Sequence, residues 1–223
     1  KWLDDNEKRE DWFLHVHLWD PHIPYRTPEK YGKPFENEPL SDDWMTDELL
    51  QYQRQHCVGA HSAREVNGYV NAPDIAHPRQ PVQVDDLAGF KRLIDEYDTG
   101  VWYADRAVGM ILDKLRQQGL YDDMVVIISS DHGESLGELG SYCEHGEADN
   151  VVTHIPMIIK WPGCAKGAES HGFHYNLDLL PTLMDLLGGV PEFRANRVTG
   201  KVTPFDYDGE SYADLVRTGA DGG

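Results

Sequence analysis

The sequence predicts an α/β fold: a largely parallel sheet flanked by helices. Three observations carry that expectation. Two continuous apolar runs, "MVVIIS" (124–129) and "IPMIIKW" (155–161), have the character of strands covered on both faces. Between Asp85 and Gln118, apolar residues recur in steps of three and four, the period of a helix with one buried stripe. The order strand, helix, strand, strand, helix matches βα units, whose strands run parallel.

Residues 11–19, "DWFLHVHLW", are aromatic, aliphatic and β-branched and end at Asp20-Pro21, which predicts a strand stopped by proline. Five prolines within 21–40 predict extended loop. "DDWMTDELLQYQRQ" (42–55) predicts a short helix, and the polar run His61–Val84 shows no strong period. The long helix presents Leu87, Phe90, Leu93, Ile94, Tyr97, Val101, Ala104, Val108, Ile111, Leu112 and Leu115 on one face, with Gly119 placed to end it. Gly100 within it predicts a kink or a break into two helices. "NLDLLPTLMDLLG" (176–188) has helical spacing, so Pro181 must lie in its first turn or bend it. No internal repeat or low-complexity block is present.

At 223 residues, 40% hydrophobic and 26% charged, the chain is long enough for one domain with a sizeable core. A formal charge of -19 disfavours nonspecific adhesion to nucleic acid or anionic membrane, both of which need clustered Lys and Arg. No apolar run approaches the ~18 residues of a membrane span. No charged-then-apolar leader opens the chain, which begins at Lys1 rather than Met, and the compartment stays open. Cys57, Cys143 and Cys164 are an odd number without a CxxC pair, so at least one thiol is free or pairs with another chain.

Two polar clusters follow directly on apolar strands, at their C-terminal ends, where parallel sheets bind ligands. One is Asp131-His132-Gly133. A carboxylate and an imidazole there suit a divalent metal such as Ca²⁺, Mg²⁺, Mn²⁺ or Zn²⁺, and the glycine permits close backbone approach. The plain alternative is a solvated turn. Against it stands the local charge: no Lys or Arg occurs between Arg116 and Lys160, while Asp122, Asp123, Asp131, Glu134, Glu138, Glu144, Glu147 and Asp149 all do. A cation within such a segment relieves its repulsion. The other cluster is Asp20 and His22 in "HLWDPHIPY", where Pro21 and Pro24 hold the imidazole's direction. His15 and His17 fall on one face of the predicted strand as sheet residues, and Asp20 reads as a structural cap. His145 in "EHGEADN" could protonate a leaving oxygen or hold an anion; the bland reading is a surface histidine. Cys143 beside it invites a zinc site with His145 and His132, a weak pattern without a second cysteine.

With both clusters in hand, the chain resembles the sulfatases of the alkaline-phosphatase superfamily. The matching stretches are "FLHVHLWDPHIPYRTPEKY", "YDTGVWYADRAVGMILDKLRQQGLYDDMVVIISSDHGESLGE", "EHGEADNVVTHIPMIIKWPG", "NLDLLPTLMDLLG" and "DGESYADLV", in family order over most of residues 11–216. Residues 40–84 match none of these and are expected to be a variable insertion. The resemblance implies an alkaline-phosphatase/sulfatase-like domain, incomplete at both ends, with 1–223 as the C-terminal part of one catalytic domain. It implies hydrolysis of a small-molecule or oligosaccharide sulfate ester with one divalent cation, usually Ca²⁺. In such enzymes a Cys or Ser within Cys/Ser-x-Pro-x-Arg is oxidised to formylglycine, whose hydrated form attacks sulfur.

By motif, Asp131 and His132 would be metal ligands, and His22 would contact sulfate or protonate the leaving oxygen. His145 stands where many relatives carry Lys. No Cys/Ser-x-Pro-x-Arg occurs in this sequence, nor does the family's paired N-terminal aspartate motif, so no nucleophile is assigned and formylglycine is expected only N-terminal of this chain. The isolated chain is accordingly expected to be inactive. Two alternatives remain: a phosphonate or phosphate ester hydrolase of the same superfamily, and a non-catalytic binding protein that keeps the fold.

Overall fold

The computed structural model describes residues 1–40, 44–57, 79, 84–189, 193–195, 199, 202–204 and 206–220. The chain divides into two compact units, Lys1–Tyr121 with His132–Ile155, and Asp122–Asp131 with Pro156–Gly223.

The first unit is organised by helices. A short α1 (Trp2–Asn6) opens it, and α2 (Asp47–His56) follows the proline-rich loop. The helix α2 begins later than its composition suggests because Thr46 caps it: the hydroxyl accepts from the Leu49 amide at 3.1 Å, and Asp47 and Glu48 sit favourably in the first turn. The dominant element is α3 (Leu87–Gln117), capped by the Asp86 carboxylate on the Gly89 amide at 2.7 Å.

It runs through Gly100 without interruption, so the predicted kink or break does not occur. The reason for glycine is external: a Cβ there would stand 2.7 Å from the Asp20 carbonyl oxygen and 3.1 Å from the Pro21 Cα. Gly100 lets the loop carrying His22 lie directly on the helix. Gly119, at φ 70°, follows the helix end as expected.

The core gathers on the N-terminal half of α3, where Phe90 and Leu93 meet Ile23, Tyr25, Met45, Leu50, Val84, Leu136, Tyr142 and Cys143. Met45, Leu50 and Val84 fall within 40–84, so that stretch contributes to the core. Its residues 41–43, 58–78 and 80–83 lie outside the described residues. The two short strands β2 (Ser135–Leu136) and β3 (Tyr142–Glu144) form an antiparallel pair. They are tied to α2 by buried polar contacts: the Tyr142 hydroxyl donates to Gln53 at 2.6 Å, and the Gln53 amide donates to the Gly137 carbonyl at 3.0 Å. A four-residue helix, α4 (Asn150–Thr153), closes this unit.

The second unit pairs β1 (Val126–Ser129) with β4 (Met157–Lys160) in antiparallel register, Ile127 opposite Ile159 and Ser129 opposite Met157. The Lys160 ammonium anchors the start of the ladder by donating to the carbonyls of Asp122 and Met124. Helix α5 (Asn176–Leu186) carries Pro181 beyond its first turn. Proline has no N–H to give the Leu177 carbonyl, and Gly209 packs against that carbonyl so closely that a Cβ would stand 2.3 Å away. Asp178 caps α5 by accepting from the Tyr175 amide at 2.7 Å and holds the following segment through the Glu210 amide at 2.9 Å. That segment leads into α6 (Ala213–Thr218), while β5 (Phe193–Ala195) and β6 (Val202–Pro204) pair antiparallel between the helices.

The expected element types are present, but the direction of pairing differs: all three ladders among the described residues are antiparallel. Parallel neighbours need a crossover that returns the chain to the starting edge. Here residues 130–156 leave β1 beside Ser129 and re-enter opposite it at Met157, which makes an antiparallel pair. Residues 11–19 form no ladder either. Their β-rich composition expresses a fit to a packed pleated surface, and here Phe13 is 85% exposed. Among the described residues no helix is long and apolar enough to cross a membrane.

Candidate functional site

Three of the four residues singled out from the sequence come together within the first unit. His22 lies in the turn after Asp20-Pro21, where its amide donates to the Trp19 carbonyl at 3.1 Å. Ile23, Pro24 and Tyr25, all fully buried, pin the following residues to the core. The His22 ring stacks on Trp19, 4.6 Å between centroids and 22° between planes. Trp19 in turn stacks on His17 at 5.2 Å.

His15 and His17 are exposed and belong to no sheet, contrary to the strand expectation; His17 supports the ring beneath His22. Burial holds the Asp20 carboxyl above the usual carboxylate range, against the opposing effect of a backbone hydrogen bond.

His132 is placed by the residue after it. The Gly133 amide donates to the Val152 carbonyl at 2.7 Å. A Cβ on Gly133 would fall 2.1 Å from the Val151 carbonyl oxygen. Gly133→Ala is therefore expected to destabilise the chain by about 1–3 kcal/mol and to move His132, as urea unfolding together with the histidine NMR resonances would register. His145 follows β3, whose Tyr142 and Cys143 side chains are buried in the core.

The three half-buried imidazoles converge. Ring centroids are 4.8 Å apart for His22 and His145, 5.8 Å for His22 and His132, and 4.5 Å for His132 and His145, the last pair nearly parallel at 13°. One potential ligand nitrogen from each lies within 4.8 Å of the others, making this the group of three metal-ligating side chains found among the described residues. His22 and His132 have their Nδ1 atoms against the carbonyls of Ile23 and Gly133, at 2.5 and 2.7 Å. A carbonyl can only accept, so in the neutral ring each Nδ1 carries the hydrogen and each Nε2 the lone pair.

Cys143 is not in this group. Its sulfur lies 4.0 Å from the Tyr25 hydroxyl, and the residue grouped with His132 and His145 is His22 in place of the cysteine of that weak sequence pattern. Burial pushes the Tyr25 hydroxyl well up from its ordinary value, helped by Cys143 and the buried Glu134. Asp131 ends the β1 segment in the second unit, where Asn176 donates to its backbone carbonyl at 3.4 Å. Trp19 as the platform under His22 was not singled out from the sequence; an aromatic three residues before a proline-braced histidine is the available signal.

Solved structures that superpose on this chain define its fold. Phosphonate monoester hydrolase from Silicibacter pomeroyi matches 96% of this chain and 40% of its own, with a TM-score of 0.64 at 22% identity. The corresponding hydrolase of Agrobacterium radiobacter gives 0.63 at 23% identity. These likenesses establish an α/β fold of the alkaline-phosphatase kind. The sulfatase family profile matches residues 1–190, and the chain belongs to that family. Human iduronate 2-sulfatase is 34% identical over 155 residues, covering 68% of this chain and 26% of that protein. Choline-sulfatase of Rhizobium meliloti (strain 1021) is 29% identical over 185 residues, covering 83% and 33%. The chain thus spans about a quarter to a third of these curated relatives.

Proposed function

We propose that this chain supplies the sulfate-contacting half of a metal-dependent sulfuric ester hydrolase acting on a sulfated carbohydrate. The observation that carries the reading is the convergence of His22, His132 and His145 in a chain of the sulfatase family. Residues 1–223 are read as part of a single catalytic domain, with 40–84 as the segment that varies substrate contacts.

His22 reaches the ester through Nε2, since its Nδ1 is engaged by the Ile23 carbonyl. In the protonated ring, Nε2–H donates to the bridging oxygen while the S–O bond breaks, and the alcohol leaves with that proton. His145, with its ring 4.8 Å from His22, holds a non-bridging sulfate oxygen. Trp19 prevents the His22 ring from rotating away from the ester.

A divalent cation, when bound, would supply positive charge to the sulfate oxygens. Asp131 and His132 are its proposed ligands. Calcium takes about six to eight oxygens, so the Asp131 carboxylate would supply part of its shell, with the His132 nitrogen beside it, and further oxygens must complete it. The nucleophile is a hydroxyl of the hydrated formylglycine from a Cys/Ser-x-Pro-x-Arg motif, which this sequence does not contain; it forms the new bond to sulfur as the ester S–O bond breaks.

Two samples test the reading: residues 1–223 alone, and a longer polypeptide joining them to such a motif. Sulfate release is expected from the second and not from the first. Robust turnover by residues 1–223 alone overturns the division of labour. A longer polypeptide that cleaves phosphonate monoesters and leaves sulfate esters intact overturns the substrate assignment, and one that binds sulfated sugar without cleaving it supports the binding-protein alternative.

A further inference from the structure

We infer that His22, His132 and His145 form a three-imidazole site for a divalent ion of the zinc class, chemically distinct from a calcium site. Donor type decides the selectivity. Calcium and magnesium take oxygen ligands, whereas imidazole suits zinc, cobalt, nickel and copper. The cluster brings nitrogens together and no carboxylate is among its three members.

Tautomer comes next. The carbonyls of Ile23 and Gly133 fix the hydrogens of His22 and His132 on Nδ1, which turns both Nε2 lone pairs into ligating atoms. A backbone carbonyl behind a metal-bound imidazole is the usual device for orienting such a ligand. Rigidity is supplied from outside the ring set: Trp19 stacks on His22, and Gly133 is locked against Val151 and Val152.

Distance sets the remaining demand. Zinc–nitrogen bonds of about 2.0–2.1 Å hold tetrahedral nitrogens closer together than the 4.8 Å limit within which the three atoms lie. Ring rotations that move each nitrogen by about 1 Å close that gap, a displacement well inside side-chain reach. Three protein nitrogens leave a fourth position open. The long-range field favours entry, because the segment from Gln117 to Ile159 carries eight acids and no Lys or Arg.

The inference stands on this geometry and does not require the sulfatase reading. The two nevertheless share His22, His132 and His145, since a nitrogen bound to zinc cannot also contact sulfate or the cation of the hydrolase. Zinc is thus expected to compete with the sulfate ester in any active longer form.

The test uses residues 1–223 with Zn²⁺ in calorimetry and Co²⁺ in visible absorption. One equivalent of Zn²⁺ is expected to bind, Co²⁺ to give the intense visible bands of a tetrahedral nitrogen site, and millimolar Ca²⁺ to displace neither. His22→Ala, His132→Ala and His145→Gln should each weaken Zn²⁺ roughly tenfold or more, with circular dichroism confirming that each variant is folded. The variant His15→Ala removes an exposed imidazole outside the stack and should retain the equivalent. Zinc affinity unchanged in folded His145→Gln, or lost in His15→Ala, overturns the site, as does the absence of a saturable equivalent. Sulfate release enters none of these readings, so failure here and failure of the proposed hydrolase activity are separable.

Discussion

His22→Ala is expected to slow sulfate-ester cleavage by ~10²–10⁴-fold in a longer polypeptide that carries the nucleophile. The loss should depend on the leaving group. An alkyl or sugar oxygen leaves as a strongly basic alkoxide unless it is protonated, whereas an aryl oxygen leaves readily without help. A proton donor is therefore revealed by a large loss on sugar sulfates and a small one on aryl sulfates. A residue that only binds sulfate would lower both equally, because the sulfate group is common to them. The ring's placement makes the proton-donor role specific to Nε2: Nδ1 faces the Ile23 carbonyl, and Trp19 stacks on the ring face. Equal turnover in the variant and the parent protein, on both ester types, would reduce His22 to a packing residue.

The parts of this site that were legible in the sequence share one property: they depend on local chemistry. His22 is braced by Pro21 and Pro24, His132 is followed by a glycine, and the acid-rich segment without a basic residue surrounds His145. Each can be read within a few residues. Helix α3 was legible for the same reason, since its period and its cap lie within the helix itself.

What was not legible depends on distant partners. Gly100 resembles a helix breaker in isolation; only the Asp20 carbonyl pressed against it explains the residue. Residues 11–19 have every local property of a strand, but a ladder belongs to two segments, and no described segment pairs with them. The direction of the β1–β4 pair was set by where the 130–156 excursion returns, which no periodicity within either strand encodes. Cys143 lies two residues before His145 in sequence yet its sulfur meets Tyr25, while His22, more than a hundred residues upstream, joins the imidazoles.

Glu96→Ala is expected to cost about 3–5 kcal/mol of folding free energy, measured by urea unfolding of residues 1–223. Glu96 on α3 accepts from the Arg79 guanidinium at 2.9 Å, and the two side chains are only 8% and 4% exposed. Arg79 also donates to the Thr27 carbonyl at 2.5 Å and to the Pro28 carbonyl at 3.1 Å. Removing the carboxylate leaves a guanidinium buried with two neutral acceptors and no counter-charge, so the cost reflects the stranded cation more than the lost attraction.

The double variant Arg79→Met/Glu96→Leu separates these contributions. It removes both charges and fills the space with apolar atoms, and its stability should return close to that of the parent. The two variants also divide structure from site. Thr27 and Pro28 lie just beyond the buried Ile23–Tyr25 segment that fixes His22, so losing Arg79's hold on their carbonyls frees that loop even where the core is repaired. A double variant as stable as the parent, but with weaker zinc binding, would show that the pair serves the loop. If zinc affinity recovers together with stability, the Ile23–Tyr25 burial and the Gly100 contact are enough to hold His22 in place.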